Sequence, residues 1–235
     1  MNKLYAIGLG PGGPDLITVK AAQILKSVDI VIVPESNATG RSLAHNIVKK
    51  YTRQDHIETF YFPMINNPDL LYEKYTELSI KVIEYLKNNI SVAYVTIGDL
   101  SIYSTFSYLW AKLKEASIQA EFIPGVPSFV ASANIVKLPI VTKGESFCLI
   151  EMPDDCDKLK IYIEMFSTVI ILKVYKKGDI LKTFIENYYN LLSEALLVVK
   201  ATLYDECTVD LLKEKVLNLE DVYLSTAILK KKKNG

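Results

Sequence analysis

The chain opens with Lys3-Leu-Tyr-Ala-Ile-Gly-Leu-Gly-Pro-Gly-Gly-Pro14, an apolar run that ends in a loop rich in glycine and proline. A short apolar run bounded by such turn residues is typical of a strand that is buried on both faces. An amphipathic stretch follows, for which we predict a helix with Asp15 as its N-cap that continues to Lys26. A strand, a loop and a helix in this order favour an α/β fold.

The same alternation continues through the first half of the chain. Further buried strands are predicted at Asp29–Val33, which Pro34 would end, at Ser91–Thr96 and at Gln119–Ile123. Helices are predicted at Ser42–Tyr51, Leu70–Asn88, Tyr103–Lys114 and Val126–Ile135. Continuous apolar strands that alternate with helices are typical of a mostly parallel sheet with helices on both faces.

After Pro139 the pattern changes to that of a second α/β unit. The predicted strands are Ser146–Glu151, Thr168–Tyr175, Ala195–Lys200 and Val222–Leu229, separated by helical stretches near Lys158–Met165, Asp179–Tyr189 and Asp210–Leu217. We place the boundary within Lys137–Gly144, which predicts domains of residues 1–140 and 141–235. The lysine run Lys230–Lys233 is expected to be a frayed, solvated tail after the last strand.

Composition excludes several classes of protein. The formal net charge is zero, which gives no support for a global attraction to nucleic acid. No apolar run reaches the roughly 18 residues of a membrane span, and no signal-peptide pattern is present, so we expect a cytoplasmic protein. The three cysteines, Cys148, Cys156 and Cys207, do not form a disulfide framework, and His45 and His56 do not suggest a zinc site.

Three of the predicted strands end in loops with distinctive residues. These loops are Gly8–Pro14, Gly98–Ser101 and Pro124–Ser128. Ligands in parallel sheets bind outside the carboxyl ends of the strands, so we expect the loops to converge at one edge. Asp99 is suited either to cap the following helix or to accept hydrogen bonds from a ligand. Ser128 is expected in the first turn of the next helix, with its hydroxyl free to face a ligand.

The first loop also matches the dinucleotide-binding pattern GxGxxG. Gly8, Gly10 and Gly13 supply the glycines, and the acidic residue Glu35 follows after the second strand. A nicotinamide-dependent oxidoreductase is therefore one alternative. Pro11 weighs against it, because it removes a backbone donor from the loop. In the nicotinamide-binding fold the third glycine lies inside the helix, whereas the helix predicted here starts after the third glycine.

Taken together and in this order, the three loops resemble the class III S-adenosylmethionine methyltransferases that act on tetrapyrroles. That family has a GxGPG loop after its first strand, matched here by Gly8–Gly12, and a GDP motif, matched by Gly98-Asp99-Leu100. It also has a proline–glycine–hydrophobic loop that ends in Ser or Thr, matched by Pro124–Ser128. The resemblance extends from about Lys3 to Leu229. Leu100 replaces the family's usual proline, which we expect to loosen the turn while leaving cofactor binding intact.

Within the family, the chain is most similar to the branch that methylates C20 of precorrin-2 or cobalt-factor II in cobalamin biosynthesis. The residues that carry this similarity are Tyr103–Leu109, Ile123–Phe129 and Leu172–Val174. The resemblance implies two α/β domains with a mostly parallel first sheet and a mixed second sheet. It further implies S-adenosylmethionine in the cleft that the second domain completes, S-adenosylhomocysteine as its product, a tetrapyrrole substrate, a homodimer, and no metal, membrane or nucleic-acid partner.

The resemblance also implies roles for individual residues. Asp99, Tyr103 or a water molecule would accept the proton that C20 loses after methylation. The substrate's carboxylates would be bound by Arg41, Ser42 and Lys143, which flank predicted loops on the ligand side. Cofactor contacts are implied for Leu9, Pro11, Ile97, Gly98, Asp99, Ile102, Ser128, Phe129, Lys173 and Ala201, of which Lys173 and Ala201 would offer backbone groups to the adenine.

Other functions stay open at this point. One alternative keeps the enzyme class and changes the ring position that is methylated. Relatives of this fold also methylate ribosomal RNA or a modified histidine on a translation factor. The zero net charge of the chain weakens the hypothesis of an RNA substrate. A protein that only binds a ligand is a further alternative, because no residue is an unmistakable catalyst.

Overall fold

The computed structural model describes residues 3–36, 42–63, 67–175, 177–213 and 223–233. The chain forms two compact units, Met1–Pro127 and Ser128–Gly235. In the described ranges, no helix combines the length and the apolar character needed to cross a membrane.

The first unit is built on a five-stranded sheet in the order β3-β2-β4-β1-β5. All neighbouring strands are parallel, which confirms the predicted mostly parallel sheet. Four of the strands fall where the apolar runs predicted them, whereas β3 was not predicted. The strands are β1 (Leu4–Gly8), β2 (Ile30–Glu35), β3 (Ile57–Tyr61), β4 (Val92–Thr96) and β5 (Ala120–Ile123).

Helices cover both faces of this sheet. α1 and α2 pack with one set of strand side chains, including Ile7 and Val31, and α3 and α4 pack with the alternate set, including Ala6 and Ile32. Fully burying a leucine such as Leu78 of α3 stabilises the fold by about 2 kcal/mol. The four helices are α1 (Val19–Ser27), α2 (Leu43–Val48), α3 (Pro68–Lys87) and α4 (Phe106–Glu115).

The starts of α1 and α4 differ most from the sequence prediction. Asp15 does not cap α1, because a 3-10 turn occupies Pro14–Leu16 and Thr18 is the N-cap, accepting the N–H of Ala21 at 3.3 Å. α4 begins at Phe106 rather than Tyr103. Tyr103 has a φ of 46°, a left-handed conformation that cannot belong to an α-helix.

β2 continues through Pro34, where the sequence predicted its end. The carbonyl of Glu35 accepts the N–H of Phe62 beyond β3, so the nitrogen of Pro34 points the other way, towards β4. Pairing of β2 with β4 has already ended at Ile32↔Tyr94. The missing N–H of Pro34 therefore costs no sheet hydrogen bond.

The second unit contains a mixed sheet in the order β6-β7-β10-β8-β9. β6 and β7 are parallel and the other neighbours are antiparallel, which confirms the predicted mixed sheet. The strands are β6 (Phe147–Glu151), β7 (Thr168–Leu172), β8 (Leu192–Val199), β9 (Cys207–Asp210) and β10 (Ser225–Lys231). The helices are α5 (Ser128–Ile135), α6 (Cys156–Met165) and α7 (Gly178–Tyr188).

Residues 128–140 group with the second unit, whereas the sequence placed the boundary after residue 140. α5 packs against β10. In addition, the Thr168 hydroxyl on β7 donates a hydrogen bond to the carbonyl of Ile140 at 2.6 Å. These contacts tie the connecting segment to the second sheet.

The prediction of a helix from Asp210 is wrong in the part that the structure describes. Residues Cys207–Asp210 form β9, which pairs with β8 in the register Leu196↔Asp210. Pairing of this segment with β8 outweighs its weak local helical pattern. Residues 214–217 of the predicted helix lie outside the described ranges.

The lysine run is not a frayed tail. β10 includes Lys230 and Lys231, and the N–H of Lys232 donates to the carbonyl of Leu191 at 2.8 Å. The ammonium groups of Lys230 and Lys233 lie 3.4 and 2.9 Å from the carboxylate of Glu145. Backbone pairing and these ion pairs hold the run in place.

Candidate active site

The loops after β1 and β4 are joined backbone to backbone. The N–H of Gly98 donates to the carbonyl of Gly10 at 2.7 Å, and the N–H of Gly10 donates to the carbonyl of Gly98 at 3.2 Å. The bridge forms because β1 and β4 are neighbours that end level with each other, in the register Gly8↔Thr96.

The loop after β5 packs against the same point. A Cβ atom on Gly125 would lie 2.2 Å from the carbonyl oxygen of Gly98 and 2.7 Å from the carbonyl carbon of Gly8. No side chain fits at such distances, so the close approach requires glycine. The predicted convergence of the three loops is therefore confirmed at the carboxyl edge of the first sheet.

Asp99 fastens two of these loops with its carboxylate. Its Oδ1 accepts the N–H of Ser101 at 2.9 Å and the hydroxyl of Ser101 at 2.5 Å, and its Oδ2 accepts the N–H of Gly125 at 2.9 Å. Partial burial opposes ionisation, but the hydrogen bonds from Ser101 and Gly125 outweigh it and lower the pKa of Asp99 below its usual value. The group is thus an ionised carboxylate with most of its acceptor positions filled.

The structure separates the two roles that the sequence left open for Asp99. The N-cap of α4 is Thr105, so Asp99 does not cap that helix. It closes its own turn through Ser101 and reaches across to the third loop. Leu100, which replaces the usual proline, packs its side chain against the core formed with α3 and α4. The turn is held by Asp99 and by this packing.

The surface above Gly98 is open. Gly98 has a φ of 75°, and no atom lies within 4 Å of the position that a Cβ would take. A ligand can therefore approach the backbone at Gly98 closely, although the N–H and carbonyl of Gly98 themselves are bonded to Gly10. By contrast, α1 begins only at Val19, well beyond Gly13, so the helix N-terminus that cradles a pyrophosphate in dinucleotide-binding folds is not formed at the glycines.

Side chains of the first two loops point mainly inward. Leu9 is fully buried in the core with α1 and α2, and Ile97 packs against the same core. Pro11 is buried, and Ile102 is partly buried. A ligand at this edge would therefore meet mostly backbone. Ser101 and Tyr103 are exposed on the loop that carries Asp99, Tyr103 with 49% of its surface.

The three candidates for substrate binding are Arg41, Ser42 and Lys143. Arg41 lies outside the described ranges. The Ser42 hydroxyl accepts the N–H of His45 at 3.2 Å as the N-cap of α2, and its N–H donates to Oε1 of the buried Glu35 at 3.3 Å. Lys143 belongs to the second unit and is exposed.

In the second unit, Ser128 lies in the first turn of α5, as expected, although the helix begins at Ser128 and not at the predicted Val126. Phe129 follows it and is 9% exposed. Its ring centroid lies 6.5 Å from that of Phe147 on β6. The pair anchors the start of α5 within this unit.

Lys173 and Ala201 follow β7 and β8 at the same edge of the second sheet. β10 lies between these strands, with Thr226 opposite Leu172 and Ser225 opposite Val199. The backbone at this edge has unusual conformations, with positive φ angles at Lys173, Lys200, Thr202 and Leu224. Such residues cost conformational energy and concentrate at functional sites.

The model of the tetrapyrrole (corrin/porphyrin) methylase family matches residues 3–215. The chain belongs to this family. A probable cobalt-precorrin-2 C(20)-methyltransferase of Methanocaldococcus jannaschii is 37% identical over 233 residues, covering 98% of this chain and 97% of the relative. The cobalt-precorrin-2 C(20)-methyltransferase of Salmonella typhimurium is 31% identical, covering 87% of this chain and 86% of the relative.

Solved structures show the same fold as this methylase. A cobalt precorrin-4 methyltransferase superposes with a TM-score of 0.73 at 21% identity, covering 97% of this chain and 94% of the other. Uroporphyrin-III C-methyltransferase from Thermus thermophilus, solved with S-adenosylhomocysteine, gives a TM-score of 0.68 at 20% identity and covers 97% of both chains. The predicted fold class and methyltransferase activity are confirmed, and the oxidoreductase alternative is set aside.

Reasoning from sequence missed two residues that hold the loops of the candidate site. Ser101 fills Oδ1 of Asp99, and the Tyr51 hydroxyl donates to the carbonyl of Pro14 in the first loop at 2.5 Å. Ser101 stands two residues from Asp99, and an Asx-type turn is a recognisable local signal. Tyr51 is 37 residues from Pro14, so no local pattern indicates that contact. Among the described residues, no group of side chains suited to bind a metal ion is present.

Proposed function

We propose that this methylase transfers a methyl group from S-adenosylmethionine to C20 of precorrin-2 or cobalt-factor II in cobalamin biosynthesis. The observation that carries the proposal is the 37% identity to a relative named for this reaction, which extends over nearly the whole of both chains. The convergent loops at the carboxyl edge of the first sheet support it, because that edge is where parallel sheets bind ligands.

The first unit offers features that fit the cofactor. The space above Gly98 is open, so a ligand can approach the backbone groups of Ile97 and Gly98 closely at the point where three loops meet, while the bridge to Gly10 holds Gly98 in place. We propose that these groups, with Pro11 and Ile102, hold the methionine part. When bound, S-adenosylmethionine supplies a methyl group on a cationic sulfur. The neutral, glycine-rich backbone is suited to position such a group and to exclude water around it.

The second unit is proposed to contact the rest of the cofactor. Backbone groups at Lys173 and Ala201 are assigned to the adenine, in agreement with their position at one edge of the second sheet. The strained backbone next to them, at Lys200 and Thr202, supports a functional role for this edge. Ser128 and Phe129 at the start of α5 are proposed to flank the cofactor.

We assign Asp99 a positioning role in addition to its proposed cofactor contact. A carboxylate whose pKa is lowered by three hydrogen bonds is a weak base, so it is poorly suited to accept the proton from C20. Holding the loops after β4 and β5 is what its geometry supports. Tyr103, half exposed on the same loop, is proposed to face the acceptor carbon, and a water molecule or Tyr103 to accept the proton.

The substrate carries many carboxylates, so its binding surface should contain cations and hydroxyl groups. Arg41, Ser42 and Lys143 remain our proposals for this surface. Ser42 would contribute in addition to capping α2. We also propose a homodimer, which light scattering coupled to size-exclusion chromatography would test directly.

The proposed reaction is tested by incubating the protein with S-adenosylmethionine that carries a ¹³C-labelled methyl group and with either precorrin-2 or cobalt-factor II. We expect one labelled methyl in the product, which NMR should locate at C20. Calorimetry with S-adenosylhomocysteine and with NAD runs beside it, and binding is expected only for S-adenosylhomocysteine. A label at another carbon would reject the ring position, and absence of S-adenosylhomocysteine binding would reject the cofactor.

A further inference from the structure

Tyr51 lies outside the three loops of the candidate site, and its backbone and ring are both held in place. Its N–H donates to the carbonyl of Val48 at 2.8 Å, immediately after α2. Its ring is half-buried and packs against the core that α1, α2 and the sheet share. The hydroxyl is therefore presented from a fixed base.

The hydroxyl of Tyr51 donates to the carbonyl of Pro14 at 2.5 Å. Pro14 stands at the far end of the first loop, opposite the end where Gly10 is bridged to Gly98. The segment between these two points contains Gly12, whose φ of 146° is accessible mainly to glycine. A glycine-rich segment has a large conformational freedom to lose when it binds a ligand.

The N-terminus of α1 does not hold the far end of the first loop. Pro14–Leu16 forms a separate 3-10 turn, and α1 begins at Val19 with its own cap, Thr18. The loop thus ends before the helix begins, and the carbonyl of Pro14 is held by a side chain 37 residues further along the chain.

We propose that Tyr51 is a positioning residue for cofactor binding, which holds the Gly8–Pro14 loop in its binding conformation through the Pro14 carbonyl. This inference rests on the proposed use of S-adenosylmethionine. The loop is fixed at one end by the Gly10–Gly98 bridge and at the other by the Tyr51 hydroxyl. Removing the hydroxyl takes away one attachment of the second end and leaves the hydrogen bond from the Leu16 N–H to the Gly13 carbonyl, so part of the ordering of the loop must come from binding free energy.

The test replaces Tyr51 with Phe, which keeps the packed ring and removes only the hydroxyl. Tyr85→Phe is the matched control, because the Tyr85 hydroxyl makes a hydrogen bond of the same length, 2.5 Å, to Glu58 on the opposite face of the same sheet. Both variants are expected to lose stability, Tyr85→Phe at least as much as Tyr51→Phe because its partner Glu58 is a carboxylate. We expect Tyr51→Phe alone to weaken S-adenosylhomocysteine binding in calorimetry, by several-fold to about tenfold.

Two further measurements separate positioning from a general structural effect. With substrate present, Tyr51→Phe is expected to raise KM for S-adenosylmethionine with little change in kcat. This is the result expected when a variant loses binding energy that the ground state and the transition state share equally. Without ligand, amide hydrogen exchange at residues 8–16 should be faster in Tyr51→Phe than in wild type or Tyr85→Phe.

The outcomes distinguish this inference from the proposed function. Failure of the wild-type protein to bind S-adenosylhomocysteine would overturn both. Wild-type binding that is unchanged in Tyr51→Phe, or weakened equally in Tyr85→Phe, would overturn the role of Tyr51 and leave the proposed function standing.

Discussion

The N–H of Gly125 donates a hydrogen bond to Oδ2 of Asp99 at 2.9 Å, across 26 residues of sequence. This contact ties the loop after β5 to the loop after β4. The carbonyl oxygen of Gly98, one residue before Asp99, lies only 2.2 Å from the position that a Cβ on Gly125 would take. The two loops therefore form one unit, whose shape depends on a carboxylate in one loop and a glycine in the other.

Replacing Asp99 with Asn tests this link. The amide keeps the size of the side chain, but its NH₂ group can only donate, so one of the donors from Gly125 or Ser101 loses its acceptor. We expect the free energy of unfolding to fall by about 1–3 kcal/mol and S-adenosylhomocysteine binding to weaken. Chemical denaturation and calorimetry measure the two effects.

Asp155→Asn is the control for this change. Asp155 caps α6 by accepting the N–H of Lys158 at 2.8 Å. Because Asn caps helices about as well as Asp, stability and ligand binding should stay close to wild type. Unchanged binding in Asp99→Asn would remove Asp99 from the proposed site.

Gly98→Ala is predicted to fold and to lose cofactor affinity. The new methyl group meets no protein atom, so the cost to stability is the strain of a positive φ, about 1 kcal/mol. It would project into the space that we assign to the cofactor. We expect S-adenosylhomocysteine affinity in calorimetry to fall at least about tenfold, which corresponds to about 1.4 kcal/mol.

Gly144→Ala provides the comparison, since Gly144 also has a positive φ, 84°, and open space around its Cβ position. It should lose similar stability and keep its affinity. Equal affinities in the two variants would show that the space above Gly98 is not used by the cofactor.

Tyr103→Gly is predicted to keep or raise stability while reducing methyl transfer. A tyrosine at a φ of 46° is strained by roughly 1–2 kcal/mol, which glycine relieves. Part of the gain is offset by the greater freedom of glycine in the unfolded chain. If Tyr103 faces the acceptor, the initial rate of transfer should fall by about tenfold or more.

Ser117→Gly is the matched variant, because Ser117 has a φ of 59° after α4, at the opposite end of that helix from the Tyr103 loop. It should relieve similar strain without changing the rate. A normal rate in Tyr103→Gly would remove Tyr103 from the proposed acceptor site.

Glu145 is predicted to make stability depend on pH in the acid range. The Lys233 ammonium and the N–H of Thr142 lower the pKa of Glu145 from 4.5 to about 2. Because the pKa of Glu145 is lower in the folded protein than in the unfolded chain, the ionised carboxylate stabilises the fold at pH values above the unfolded-state pKa. This contribution is lost as the pH falls through the folded-state pKa. The difference in melting temperature between wild type and Glu145→Gln should therefore be complete above pH about 4.5, shrink as the pH falls, and vanish only below pH about 2.

Salt supplies the control for this experiment. Lys233 is largely exposed, so roughly 1 M salt should screen its attraction to Glu145 and reduce the difference between the two proteins. A difference that persists unchanged at pH 2 would show that the carboxylate charge is not its cause.

The sequence by itself determined the α/β class, the parallel first sheet and the three site loops. Continuous apolar runs such as Val92–Val95 leave no face for water, so they specify buried strands, and parallel strands bring their carboxyl ends to one edge. The glycines at positions 8, 98 and 125 were visible as loop residues, and their order along the chain indicated the family.

Tertiary structure alone decided where elements end and which groups hold the loops. Pro34 stays in β2 because the pairing of β2 with β4 has already ended before Pro34. The chain up to Asp210 is a strand because it pairs with β8. The contacts Asp99–Gly125 and Tyr51–Pro14 join residues 26 and 37 positions apart. Sequence patterns act through residues a few positions apart, whereas these hydrogen bonds exist only once packing has brought distant segments together.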